Sequence, residues 1–454
     1  MSKTVKLKKG LDIRLLGDAE KVTVTLPLPK TISLKPSDFH GMTPKMVAKE
    51  GSHVKAGEVI FCNKYNEPVK IVSPLSGTIQ AIVRGEKRKI IEILIAVDAT
   101  QEFLETPMKD ITTMSGDEVM ETMLAAGLWP FVKQRPLDIV AVQDNAPKAI
   151  FISAFDSAPL AADFNYSMHG QDADFQAGLD ALAKLTAGKV HLTLNTKTAN
   201  DAKFEHAKGV QINKISGKHP AGNVGPQIHH IDPINKGEFI WTVNAQDVAI
   251  IGRYFNTGKF DAHKTIALTG SEAIAPKYYK TIIGANISAL LKDAVKTEGK
   301  VRVISGNALT GDKIDADGHL GFYANQVTLL PEGDQYKFFL TTGWLGLGFD
   351  KFSNSRLFPT FLTPKKKFRL DTNTNGEERA FVVTGELEKV FPFDIFPMQL
   401  IKAAITDDID GMENLGIYEV APEDFALCEY VCTTKINIQD KIRQGLDLIG
   451  EECM

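Results

Sequence analysis

The sequence predicts a multidomain α/β protein: a small all-β unit, then an α/β domain, a compact β-grasp unit and a helical end. Three observations carry this reading. Up to about residue 100 the chain holds short β-type runs ("VTVTLPL", "EVIFC", "VKIVSP", "GTIQAIV", "KIIEILIAV") punctuated by Gly, Pro and Asn. From about residue 105 to residue 258 strand and helix patterns alternate, as they do in a parallel sheet. From Pro397 onward the apolar spacing is helical. At 454 residues the chain is also too long for a single hydrophobic core.

The first unit is placed at residues 1–104. "VAKEGSHVKAGEVIF" (Val47 to Phe61) turns at Gly51 and Gly57, and "NKYNEPVKIVSPLSGTI" (Asn63 to Ile79) reads as a hairpin returning through Ser73-Pro74. This is the spacing of a lipoyl- or biotinyl-type domain. The position of a carrier's modified lysine falls on Asn66; Pro68 stiffens the turn, and Lys64 lacks the acid-Lys-Ala surroundings of a carrier. A lipoyl-like shape without an attachment lysine is therefore expected, and no covalently bound cofactor.

The α/β domain is placed at 105–258. "SGDEVMETMLAAGLW" carries apolar residues at helical spacing (Val119, Met123, Leu124, Leu128) behind a capping box of Ser115 and Glu118. "AIFISAF" (Ala149 to Phe155) reads as a buried strand, and "DADFQAGLDALAKLTAGK" as a helix with acids in its first turn and Gly188 past its end. "KVHLTL" and "KGVQINKI" are strands; Asn244 caps and Gly258 ends the helix "NAQDVAIIGRYFNTGK". The third unit, 259–330, reads strand, turn, strand, helix to near Ala294, then the strand "KVRVISGNALTG", a ββαβ order that fits a ubiquitin-like grasp. Residues 331–380 form an aromatic, turn-rich connection. The last unit, 381–454, is helical, with "EDFALCEYVC" and "DKIRQGLDLIGEE" as its amphipathic stretches.

Composition excludes several classes. A net charge of −4 and pI near 6.2 leave no electrostatic footprint for nucleic acid, and Lys3, Lys6, Lys8 and Lys9 read as a solvated edge. No apolar run approaches the roughly 20 residues that span a bilayer, and no h-region follows the basic start. A cytoplasmic location without transmembrane segment or signal peptide is expected, with any membrane attachment made through another chain. Cys62, Cys428, Cys432 and Cys453 are too sparse for a disulfide framework or an iron–sulfur cluster, and read as reduced thiols.

Most motifs reduce to structure. "SGKHP" has Ile212 where a P-loop needs its first glycine and His219 where it needs Ser or Thr. "GWLGLGFDK" has Lys351 in place of the third glycine of a dinucleotide fingerprint. "TDDIDG" offers Thr406 as first ligand and Ile417 in place of the glutamate of an EF-hand, so its acids read as helix caps. His219, His229 and His230 in "HPAGNVGPQIHH" lack a nearby cysteine, and adjacent histidines on a strand face opposite ways. No metal site is assigned. Gly222 and Gly225 make a loop after a strand, where open α/β sheets place ligands, so a polar pocket wall is expected there. "GLWPFVKQRP" sets Trp129 and Phe131 beside Lys133 and Arg135, which suits a flat ligand with polar ends, such as a quinone.

Taken in order, "KKGLDI", "SPLSGTI" with "RGEKR", "GLWPFVKQRP", "TAGKV", "HPAGNVG", "VRVISGNALTG", "TNTNGEERAFVVTGELEKVFPFD" and "LGIYEVAPEDFALCEYVC" resemble, over nearly the whole chain, the NqrA family of the bacterial Na⁺-translocating NADH:quinone oxidoreductase. That family is similar to the C subunit of the Rnf complex and the flavin-binding subunit of respiratory complex I. The resemblance implies a lipoyl-like barrel-sandwich hybrid, a Rossmann-like α/β domain, an SLBB-type β-grasp domain and a helical C-terminal domain. It implies a peripheral subunit on the cytoplasmic face of the inner membrane, in a six-subunit translocase whose other five subunits, above all an integral membrane one, are its partners.

Ubiquinone is the implied ligand, with flavins and iron–sulfur centres on the partner subunits. The relatives bind flavin with a glycine-rich loop where this chain has "GLWPFVKQRP", which implies a scaffold kept without that chemistry. No catalytic residue is assigned. On this reading Trp129 and Phe131 stack on the quinone ring, Arg135 or Lys133 stabilises its developing negative charge, and His219 and His229 are candidate proton donors. The alternative is a structural adaptor whose segment Gly343 to Phe361, bearing Trp344, Phe349, Phe352, Phe358 and Phe361, clamps neighbouring subunits.

Overall fold

Local capping starts the helices that frame the α/β domain. In the computed structural model, which describes residues 2–107, 109–197, 202–296, 298–335, 345, 347–354 and 358–453, Ser115 Oγ accepts from Glu118 N–H. The Glu118 carboxylate accepts in turn from Ser115 N–H, and helix Gly116–Ala125 follows. The Asn244 side chain accepts from Gln246 N–H to open helix Ala245–Thr257, which Gly258 ends at φ 69°, a conformation that favours glycine.

Two expectations shift. Helix Asp172–Ala183 ends before Gly188, and that glycine instead lies against the Lys148 carbonyl, where a Cβ would come within 1.8 Å. "VGPQIHHI" is a helix, Val224–Ile231, because Pro226 falls in its first turn where no intrahelical N–H is needed. His229 and His230 are thus consecutive on a last helical turn, and Gly225 belongs to the helix rather than to the loop.

The central sheet has seven strands in the order Thr4–Lys6, Gln211–Ser216, Lys189–Asn195, Ala149–Ser153, Ile240–Thr242, Lys133–Arg135 and Ile139–Val140. The first five run parallel, and Lys133–Arg135 runs antiparallel to the strand on either side of it. After Ala149–Ser153 the chain winds to one side, then crosses back to lay Ile240–Thr242 on the other. The strand order therefore reverses beside Ala149–Ser153, and a crevice is expected at the carboxyl ends there.

The β-grasp unit contains the expected strand, strand, helix, strand order (His263–Thr269, Lys277–Ile282, Ser288–Leu291, Val301–Ser305), with Gln326–Pro331 inserted between the first and last strands. The N-terminal unit packs a four-stranded sheet (Thr31–Leu34, Ile90–Val97, Gly77–Arg84, His53–Val54) on a three-stranded one (Pro44–Met46, Val59–Asn63, Asn66–Val72). Its hairpin tip is anchored: Asn66 Nδ2 donates to Gln143 of the α/β domain at 2.6 Å. The unit does not hold the whole of 1–104. Thr4–Lys6 pairs with Lys214–Ser216 at the edge of the central sheet, and Glu20–Thr25 completes the β-grasp sheet beside Lys277–Ile282. Edge strands recruit any segment that satisfies their open backbone groups, whatever its place in sequence.

Helices Pro397–Ile405, Ile409–Asn414, Ala426–Val431 and Ile438–Cys453 enclose a separate core that includes Leu400, Ile401, Phe425, Ile442 and Leu446, completed by Ile13 and Leu15. Asp408 caps the second of these helices by accepting from Gly411 N–H, while Cys428 and Cys432 are buried. In the aromatic segment Phe358 is buried, Phe352 lies beneath Arg14, and Phe349 and Phe361 are exposed. Trp344 lies outside the described residues. Among the described residues no helix is long and apolar enough to cross a membrane, and no cluster of His, Cys, Asp and Glu could hold a metal ion.

Candidate functional site

The four units meet around one cleft of about 810 Å³. Its floor is the expected crevice: Ser153, Phe155 and Asp156 at the end of one parallel strand and Thr242 to Asn244 at the end of its neighbour. The barrel contributes Lys35, Ser37, Asp38 and His40, the β-grasp unit contributes Phe322 and Tyr323, and the C-terminal helices contribute Glu423, Gln439 and Arg443.

Of the six quinone-site candidates, Phe131, Lys133 and His219 line this cleft, and so does Gly222, where a polar pocket wall was expected. Phe131 stacks on Phe322 with ring centroids 5.0 Å apart, and Lys133 Nζ sits 4.3 Å above the Tyr323 ring. Tyr323 in turn donates its hydroxyl to the Pro130 carbonyl. Together they make an aromatic wall with a cation at its edge.

The other three support that wall. Trp129 is fully buried, donates Nε1–H to the Ala141 carbonyl at 2.7 Å and meets Trp241 edge to face. Arg135 is 1% exposed and is spent on two carboxylates, Nη1 to Asp424 at 2.7 Å and Nη2 to Glu423 at 2.6 Å. His229 Nε2 accepts from Asp394 N–H while Nδ1 faces Glu419 at 2.7 Å, so it tethers the C-terminal helices. Gly225 is part of the same junction, since a Cβ there would meet the Asp424 carboxylate at 2.2 Å. Bulky and cationic side chains this close to a sheet end are used first for packing and ion pairing, because burial penalises any group left unpaired.

The sequence did not single out Asp38, Asp156, Tyr323 or Glu423, all of which line the cleft. Burial raises both aspartates above the ordinary carboxylate range, against backbone hydrogen bonds from Phe322 to Asp38 and from Ala158 and Ser157 to Asp156. Burial likewise pushes Glu423 up to about 7, although the Arg135 guanidinium pulls the other way. Asp138 goes below the usual range despite burial, because Lys133, Arg135, Arg443 and His40 surround it. A signal for Glu423 existed only as the dyad Glu423-Asp424 inside "APEDF", which by itself reads as a helix start.

His219 is 3% exposed, and burial pushes its imidazole down to about 4, only partly offset by a hydrogen bond to the Ser157 backbone. A lowered imidazole favours the neutral form, which suits hydrogen bonding. A group whose folded pKa is depressed leaves stability intact above its unfolded value near 6.5 and removes it as pH falls toward 4. From pH 7 to pH 5 His219 should cost about 2 kcal/mol. Glu423 tilts stability the opposite way over part of the same range. The difference between wild type and His219→Asn in urea titrations at both pH values isolates the imidazole, and identical pH slopes in the two proteins would refute the assignment.

Three domain profiles match this chain: an NqrA N-terminal barrel-sandwich hybrid domain over residues 5–98, an NqrA second alpha/beta domain over 114–260, and an SLBB-type NQRA C-terminal domain over 265–316. Fold and profiles together define the class, a chain that joins these three domains in this order around a shared cleft. Full-length relatives narrow it further. The A subunit of the Na(+)-translocating NADH-quinone reductase of Rhodopirellula baltica is 37% identical over 98% of both chains. Those of Marinomonas sp. (98% of this chain, 99% of the relative) and Neisseria meningitidis serogroup A (99% and 100%) are each 36% identical. The chain belongs to the NqrA family of Na⁺-translocating NADH-quinone reductase subunits.

Proposed function

We propose that this chain serves as the NqrA subunit of a Na⁺-translocating NADH:quinone reductase, and that its central cleft receives the ring of ubiquinone for reduction to ubiquinol coupled to Na⁺ export. The observation that carries the ligand reading is the aromatic wall of Phe131 and Phe322 with Lys133 at its edge, set in a cleft within the roughly 300–1,000 Å³ range of small-molecule sites. Phe131, 1% exposed and stacked between Phe322 and Phe260, backs the aromatic wall from behind, Lys133 offers a carbonyl oxygen positive charge as electrons arrive, and His219 offers a hydrogen-bonding edge. Trp129, Arg135 and His229 hold these groups in place. Electrons come from carriers on the other five subunits, where flavins and iron–sulfur centres reside. The chain sits on the cytoplasmic face of the membrane against an integral membrane partner and is not catalytic alone.

A titration of the purified full chain with a short-chain ubiquinone, followed by calorimetry, tests this. Saturable binding is expected, weakened about tenfold or more in Lys133→Met by loss of a charged contact. Absence of saturable binding in the wild-type chain would remove the quinone pocket from it. The adaptor reading would then take over, favoured by the exposed Leu347, Phe349 and Leu362, which suit an interface.

A further inference from the structure

One guanidinium holds two adjacent carboxylates in very different surroundings. Asp424 is sealed, with its Oδ2 accepting from both Arg135 Nη1 and Ala421 N–H. Glu423 takes Arg135 Nη2 on Oε1, yet its side chain is 39% exposed and lines the cleft. Only the second acid can exchange a proton with whatever occupies the cleft. The short helical turn Pro422–Phe425 fixes both, and Arg135 itself is locked in the strand Lys133–Arg135.

The rival acids in the cleft differ in one respect. Asp38 and Asp156 each hold one oxygen on a backbone N–H group, neither they nor Asp312 makes an ion pair among the described residues, and Asp247 is sealed against Lys264. Asp138 is held ionised by its cations. Among the described residues, Glu423 is the cleft acid that combines access to the cavity with an ion pair to a buried cation, and a cation so placed stabilises the carboxylate left behind when a proton departs.

We propose that Glu423 hands a proton to the quinone bound in the central cleft, with Arg135 as its positioning residue. The inference rests on the quinone reading above. Reduction adds two electrons, supplied from NADH through the complex's carriers, and two protons. In the step assigned here the Glu423 O–H bond breaks, a bond forms from that proton to a quinone carbonyl oxygen, and the carboxylate remains paired with Arg135 until water in the cleft reprotonates it.

The groups facing Glu423 set when it holds that proton. Asp424 on its own turn and Asp138 in the cleft push it up, Arg135 and Lys133 pull it down, and desolvation by the cleft walls, larger than either, raises it to about 7 although part of the side chain stays accessible. Arg443 on the C-terminal helix and His40 and Asp38 on the barrel loop complete the charged surroundings. Quinone reduction should accordingly fall as pH rises above about 7, because the donor is then ionised.

The test uses the assembled reductase for turnover with ubiquinone-1 across pH, and the full chain for ubiquinone-1 binding. Glu423→Gln should bind as the wild type does and reduce quinone about a hundredfold more slowly, without the alkaline limb. Glu423→Asp should keep the limb at a displaced pH. Wild-type turnover and an unchanged profile in Glu423→Gln would overturn the proposal while leaving the cleft reading intact. If the glutamine variant fails to assemble, Glu423→Asp decides, an unmoved limb refuting the role and a displaced one supporting it. No saturable binding by the wild-type chain would instead remove the cleft reading itself.

Discussion

Arg135→Ala should destabilise the protein by about 3–5 kcal/mol, the cost of stranding a buried charge. The guanidinium is the cation paired with the sealed Asp424, and it joins the central sheet to the C-terminal helices across 289 positions of sequence. Its removal leaves Asp424 with the Ala421 N–H and the start of helix Val224–Ile231 against which it packs. Glu423 is less exposed to the loss because it faces the cleft. Arg135→Lys should lose less, since an ammonium keeps the charge but cannot present the planar fork that reaches two carboxylates. Guanidinium titrations of the three proteins measure this, and a loss below about 1 kcal/mol in Arg135→Ala, the range of a surface pair, would show that the buried pair does not form.

Lys264→Met should cost a similar amount, about 3–5 kcal/mol, for a different junction. Lys264, at the start of the β-grasp strand His263–Thr269, lies 2.8 Å from Asp247 in the first turn of helix Ala245–Thr257, and both are sealed from solvent. Among the described residues, neither charged group has a further hydrogen-bond partner. Asp247, already raised by burial, would lose the cation that holds it down. The double variant Lys264→Met with Asp247→Leu should recover most of the loss, because a buried pair often breaks even against apolar groups of like size. A double-mutant cycle reads the coupling directly. Additive losses in the double variant would mean that the two charges do not interact.

The parts of the fold legible in sequence were those decided within one or two turns of chain. Ser115 with Glu118, Asn244 with Gln246 and Gly258 are contacts between near neighbours, so their residue types announce them. The apolar runs "AIFISAF" and "KVHLTL" marked central strands because both faces of a covered parallel sheet are buried. "VGPQIHHI" misled because one short turn of Pro, Gly and His carries no clear period, and the packing of the C-terminal helices against it settles the matter.

The candidate site divides along the same line. Phe131 and Lys133 were recognisable as an aromatic beside a cation, but nothing in "GLWPFVKQRP" distinguishes Lys133, which reaches the cleft, from Phe131, Trp129 and Arg135, which are buried in the aromatic packing, the core and the ion pair. That distinction depends on which elements pack against each side of the strand Lys133–Arg135. Sequence by itself determined the order of units, the family and the capped ends of the framing helices. The tertiary structure alone decided that Thr4–Lys6 edges the central sheet and that Glu423 lines the same cleft as Lys133. Only it decided that burial lowers the His219 imidazole and raises the Glu423 carboxyl. The physical reason is range. Hydrogen bonds at helix ends are made by neighbours in the chain, whereas ion pairs, sheet edges and desolvation are set by distant segments that folding brings together.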